Sequence, residues 1–110
     1  MMDYTNREAV KKHFENNGTT GWFVLLDIVY DHKPEQVTIT EVFEKYAGLK
    51  VRYSGEDEDY DYLLNAVRTI SEHLCQVCGA SGKQALIDGW ETTLCDEHFE
   101  CSDARTKIRT

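Results

Sequence analysis

Two pairs of soft metal donors stand out in the chain: Cys75-Gln76-Val77-Cys78-Gly79, and later Cys95-Asp96-Glu97-His98. Each pair encloses two residues, the spacing at which two side chains reach one tetrahedral zinc ion. The first pair has the form of a zinc knuckle, a tight turn whose backbone amides point at the sulfurs and in which Gly79 supplies the backbone freedom. In the second, Cys95 precedes an acidic stretch that suits the positive end of a helix dipole. Cys95 and His98 then fall three apart on one helical face. The expected site is Cys75, Cys78, Cys95 and His98 around a structural Zn2+. Cys101 is the rival fourth ligand, but it lies six residues beyond Cys95, about 9 Å along a helix axis and turned off the shared face. Geometry favours His98 and leaves Cys101 as a small buried apolar residue.

Four protein ligands fill a tetrahedral ion and leave no position for water, which points to a structural site and a protein that is not an enzyme. A thioredoxin-like redox role would want a lone Cys pair on a strand-to-helix turn, without Cys95 and His98. A nuclease built on a similar finger would need a catalytic His between Gln84 and Thr93, and that stretch has none. No Ser-His-Asp set or phosphate-cradling Gly loop stands elsewhere. His13 and His32 lack ligand-like neighbours. His73 is placed on a last helical turn, where a His meets free carbonyls.

The elements that must position these donors follow from periodicity. Asn6 to Asn16 reads as a helix, with Thr5 or Asn6 as cap, Gly18 as terminator and Val10 and Phe14 as its apolar stripe. Gly21 to Tyr30 is apolar almost all round. Its length and Leu-Leu-Asp content favour a buried helix ending near His32, before Lys33-Pro34. Val37 to Thr40 alternates and is β-branched, a strand. Glu41 to Tyr46 is either a helical turn or a continuation of that strand through a bulge. Leu49 to Tyr53 forms the pairing strand, with Lys50 and Arg52 on a basic face. A helix from about Asp59 to Leu74 carries Leu63, Leu64, Val67, Ile70 and Leu74 at helical spacing and delivers Cys75 to the metal. Beyond the knuckle, strands around Gln84-Ala85-Leu86-Ile87 and Trp90 to Leu94 form a hairpin across Asp88-Gly89, and a helix follows Cys95. Knuckle, hairpin and ligand-bearing helix is the order of a treble-clef finger. The expected fold is α+β, helices around a small antiparallel sheet with a C-terminal treble-clef-like zinc finger. It forms one domain over residues 1–110, helices and small sheet in 1–74 and finger in 75–104.

From Gly21-Trp22 onward the chain resembles a group of small zinc-finger proteins, largely uncharacterised, that are common in bacteriophage genomes and bacterial prophages. Their pattern is an early Gly-Trp helix and a Lys-Glu-Lys-Phe-Gly-Gly-Leu-Arg-Phe-Tyr-like block. A helix then leads into Cys-x-x-Cys-Gly, and Trp-x-x-Thr-Leu-Cys-x-x-His closes it. Here the block stands as Phe43 to Tyr53, with Ala47 in place of the first Gly, and the end as Trp90 to His98. The helix before Asn17 lies outside the pattern. The resemblance implies zinc at Cys75, Cys78, Cys95 and His98 and a viral or prophage origin.

A net charge of −8 argues against phosphate as a ligand and favours an acidic face for a basic protein partner. The contact candidates are Tyr53, Glu56, Asp57, Glu58, Asp59, Tyr60, Asp61 and Tyr62, where tyrosines offer rigid contact area and carboxylates steer a basic partner. The expected function is that of a zinc-stabilised, phage-type accessory protein that binds a protein partner, such as a host defence factor it inhibits or redirects. The alternative is a nucleic-acid-binding zinc-finger regulator, using Lys50 and Arg52 or the tail cations Arg105, Lys107 and Arg109. From Cys75 to Cys101, Lys83 is the single fixed cation, set among five acidic residues. No run approaches a membrane span, and Met-Met-Asp-Tyr-Thr lacks the features of a signal peptide, so the expected location is cytoplasmic.

Overall fold

A computed structural model describes residues 2–109. Helix α1 (Arg7–Asn16) starts where expected, because the Asn6 side chain accepts from the Ala9 amide at 3.2 Å. A 3-10 turn (Thr20–Trp22) then leads into α2 (Phe23–Asp31). Strand β1 (Thr38–Lys45) pairs antiparallel with β2 (Gly48–Ser54), so Glu41 to Lys45 continues the strand rather than forming a helical turn. The register skips between Ile39 and Glu41. Ile39 and Val42 stand three apart, which in a regular strand puts them on opposite faces. The extra residue Thr40 re-phases the strand, and both are buried.

Helix α3 (Glu58–Ser71) is capped by Asp57, whose carboxylate accepts from the Tyr60 amide at 2.8 Å. It ends at Ser71, three residues short of the expected Leu74, because the chain must reverse for Leu74 to bridge Ser81 and for the Cys75 amide to reach the Ala80 carbonyl at 2.7 Å. Its buried stripe also differs. Ile70, expected inside, is 46 % exposed, while Tyr60 and Ser71 are buried. On a 3.6-residue helix, Tyr60, Leu63, Leu64, Val67 and Ser71 share one face and Ile70 stands at its edge. The two polar members enter the core hydrogen-bonded: the Tyr60 hydroxyl donates to the Val29 carbonyl at 2.7 Å, and Ser71 Oγ accepts from the Leu49 amide at 2.8 Å. Val10, Phe14, Leu25, Leu26 and Val29 from the first two helices, with Trp22 from the 3-10 turn, complete this core against β1, β2 and α3.

The C-terminal part holds a second sheet in the order β4-β3-β5, from β3 (Lys83–Ile87), β4 (Trp90–Leu94) and β5 (Lys107–Arg109). The Asp88-Gly89 turn closes the β3–β4 hairpin with φ of 51° and 85°, the left-handed pair this hairpin type requires. Strand β5 was not expected from the sequence. The tail turns back, exchanges hydrogen bonds with Asp88 through Thr106, and pairs with β3 from Ala85 to Ile87. The fold is α+β, as expected, with a treble-clef-like finger at the C-terminal end, though its strands divide into two small sheets.

Candidate metal centre

Cys75 leaves the last turn after α3, and Cys78 lies three residues on, in the knuckle. Gly79 closes that turn with φ of 78° and donates its amide to the Cys75 carbonyl at 2.9 Å. Opposite, Cys95 is the cap of α4 (Asp96–Glu100), its sulfur accepting from the His98 amide at 3.4 Å. The short helix turns His98 so that Nδ1 faces the sulfurs, 3.1 Å from Cys95 and 3.6 Å from Cys75. Cys78 and Cys95 sulfurs are 3.8 Å apart, far beyond the roughly 2.05 Å of a disulfide, and all four cysteines are free.

The four donor atoms of Cys75, Cys78, Cys95 and His98 lie within 4.8 Å of one another. A tetrahedral ion with metal–sulfur bonds of about 2.3 Å and metal–nitrogen bonds of about 2.0–2.1 Å places sulfurs about 3.8 Å apart and sulfur and nitrogen about 3.6 Å apart. Two of the observed separations meet those values, and the donor set fits a tetrahedral divalent ion. Electrostatics agree for the innermost ligand. Burial pushes the Cys75 thiol up, but the amides of Cys95, Cys78 and Val77 aimed at its sulfur outweigh that and bring it down to about 7. Thiolates are the form that binds metal. Cys78 is exposed and shifts the other way. The Ala80 amide lowers it, but burial of the sulfur and the neighbouring Cys75 and Cys95 sulfurs raise it further.

Cys101 lies outside the cluster, as the sequence expected, but it is exposed at the end of α4 rather than buried. A five-residue helix ends before that position can turn inward. His73 is likewise exposed beyond α3, and its contribution is a backbone carbonyl that accepts from Gly82 at 2.8 Å.

The docking of this knuckle on the N-terminal helices was missed from the sequence. The Thr20–Trp22 turn lies directly on it. Gly21 donates to the Gln76 carbonyl at 2.8 Å, the Thr20 hydroxyl to the Val77 carbonyl at 2.9 Å, and the fully buried Trp22 indole to the Leu74 carbonyl at 3.1 Å. A Cβ on Gly21 would come within 2.1 Å of the Cys75 carbonyl. Gln76 works from the other side: its buried side-chain oxygen accepts from the Thr92 hydroxyl and the Thr93 amide, at 2.7 and 2.8 Å. The Thr93 hydroxyl reaches the Ala47 carbonyl at 3.0 Å and so ties β4 to the first hairpin. The Gly-Trp pair carried the only signal, as part of the recurring pattern.

The acidic run divides by role. Asp57 caps α3 and also accepts from Gln36 at 2.9 Å; Asp61 takes the Tyr53 hydroxyl; Tyr60 is buried, with its ring packed edge-on to Tyr53. Burial therefore removes Tyr60 from the accessible surface. Glu56, Glu58, Asp59 and Tyr62 are exposed. Among the described residues no helix is long and apolar enough to cross a membrane. Comparison with family models, with characterised proteins and with solved structures returns no match for this chain.

Proposed function

We propose that the ion held by Cys75, Cys78, Cys95 and His98 is Zn2+, that it is a fastener rather than a catalyst, and that the chain acts by binding a protein partner. The observation that carries this is the cluster itself, three sulfurs and one imidazole nitrogen within 4.8 Å. Three thiolates and one imidazole suit zinc over harder ions, and four protein donors complete its tetrahedron without a water to activate. Function then lies on the surface that the ion stabilises. An acidic surface on a small metal-stapled domain fits a basic protein partner, and with the phage-like pattern it fits an accessory protein that inhibits or redirects a host factor in the bacterial cytoplasm.

The nucleic-acid alternative draws less support, because several cations it would use are engaged within the fold. Arg52 pairs with Glu41 at 3.4 Å. Arg109 pairs with Asp96 at 2.7 Å and stacks on Phe99, while Lys107 bonds the Phe99 and Glu100 carbonyls, both at 3.2 Å.

Metal analysis of the purified protein should find one zinc per chain. Cys75→Ser should lose it, and with it several kcal/mol of stability, because metal binding and folding share one free energy. A Cys75→Ser protein that unfolds cooperatively at the wild-type midpoint would contradict the fastener role. For the partner, the expected result is specific protein capture from bacterial lysate that is weakened by charge reversal at Glu58 and Asp59. Asp57 and Asp61 are poor choices because the fold uses their carboxylates. Salt-sensitive binding to duplex DNA in a mobility-shift assay would overturn the protein-partner reading.

A further inference from the structure

Trp90 is 77 % exposed and Tyr46 is 65 % exposed, and both line one groove of about 480 Å3 between the tips of the two hairpins. Glu44, Lys45 and Tyr46 come from the β1–β2 tip, and Leu86, Trp90 and Glu91 from the β3–β4 hairpin. Neither aromatic is placed there for packing. Tyr46 sits at φ of 54°, a left-handed conformation that Asn or Gly adopts far more readily than a bulky side chain.

The charges in the groove are unbalanced. Neither Glu44 nor Glu91 has an ion pair among the described residues. Burial, and then the charge of Glu91, push the Glu44 carboxyl up, as two under-neutralised carboxylates near one another must. The one cation present, Lys45, lies over the Tyr46 ring at 5.4 Å. The groove is thus one positive charge short. The protein's own cations cover the faces of Phe23, Tyr30, Phe43, Tyr46 and Phe99, and among the described residues none lies over Trp90. Indole is the ring that attracts cations most strongly.

We propose that this groove receives an arginine side chain from a basic segment of a protein partner, with its guanidinium on the Trp90 face and its N–H groups on the Glu44 and Glu91 carboxylates. The assignment rests on the protein-partner function proposed above and identifies one contact surface within it. Guanidinium fits better than ammonium because it is planar, stacks on indole, is weakly hydrated and presents donors to two carboxylates at once. A single arginine supplies the missing charge.

The test titrates the zinc-loaded protein with the blocked tripeptide acetyl-Gly-Arg-Gly-amide and follows the Trp90 indole N–H resonance. A saturable shift is expected that weakens with added salt. The Glu44→Gln, Glu91→Gln pair should reduce affinity about tenfold. Trp90→Ala, followed on backbone resonances, should reduce it about fivefold. Unchanged zinc content and urea midpoint in these variants keep the loss attributable to the groove. The citrulline tripeptide, equal in shape and uncharged, should give no saturable shift. No saturable shift with the arginine peptide, or equal binding of the citrulline peptide, overturns the proposal; equal or tighter binding of acetyl-Gly-Lys-Gly-amide overturns its choice of guanidinium. This titration needs no cellular partner, so the groove fails here alone. Failure of the wider function shows instead as wild-type protein that retains nothing specific from lysate.

Discussion

Gly21→Ala is the perturbation that most directly probes how the finger is joined to the rest of the chain. The added Cβ would stand 2.1 Å from the Cys75 carbonyl oxygen, 2.5 Å from the Gly79 nitrogen and 2.8 Å from the Gln76 carbonyl carbon. All three are backbone atoms of the knuckle, so no flexible side chain can yield. Reaching ordinary van der Waals separation requires the two backbones to part by about 1.3 Å. That movement breaks the 2.8 Å bond from Gly21 to Gln76 and the 3.1 Å bond from the Trp22 indole to Leu74. The Gly21 hydrogen bond is worth about 1 kcal/mol, and the Trp22 indole N–H left buried without a partner costs about 1–3 kcal/mol. The expected loss is about 2–4 kcal/mol, or on the order of 10–20 °C in melting temperature for a domain of this size. Because the displaced atoms belong to the knuckle, affinity for the proposed zinc ion should fall too, about tenfold for each 1.4 kcal/mol shared. Urea melts of the zinc-loaded protein, with the buried Trp22 as a fluorescence reporter, measure the first effect; chelator competition measures the second. Gly18→Ala is the control, since its Cβ would meet nothing and only the φ of 76° opposes it, at about 1 kcal/mol. A Gly21→Ala protein within about 0.5 kcal/mol of wild type, with an unchanged chelator profile, would refute the docking of knuckle on helix.

Other outcomes follow from the same contacts. Tyr46→Asn should stabilise the protein by about 1 kcal/mol in a urea melt, because Asn tolerates φ of 54° better than Tyr does, while it removes one wall of the aromatic groove. At high pH, burial holds the Tyr30 hydroxyl up to about 12 and raises Tyr60 further. Both folded values lie above the ordinary value of about 10, so the folded state holds more protons and stability falls as pH rises from about 10 toward 12. Alkaline melts should show this slope flattened in Tyr30→Phe, and an unchanged slope would mean that this hydroxyl ionises freely in the fold.

The clustering of Cys75, Cys78, Cys95 and His98 was legible because these residues obey local rules. A Cys-x-x-Cys turn ending in Gly, and a Cys capping its own acidic helix with His at the next turn, each form a half-site within a few residues of chain. The turns at Gly18 and Asp88-Gly89 and the cap at Asn6 are equally local, set by positive φ at the glycines and by the Asn6 side chain bonding the backbone three positions on. The path of Glu41 to Tyr46 was left open between a helical turn and a bulged strand, since only pairing with β2 shows that Thr40 is the extra residue. The α3 stripe was misjudged at Ile70, Tyr60 and Ser71. Residue type assigns polar side chains to water, whereas the Val29 carbonyl and Leu49 amide that receive them come from distant segments.

What the amino-acid sequence determined by itself is the pair of half-sites and the helices and strands that carry them, because hydrogen bonding over three or four residues and hydrophobic period are properties of neighbouring positions. What only the tertiary structure decided is how the pieces meet: Gly21 pressed on the knuckle, β5 returning to β3, and Tyr46 brought beside Trp90 on one groove. Those contacts join residues tens of positions apart. They are chosen by packing and by satisfying buried backbone groups across the whole molecule, and no window of sequence contains both partners.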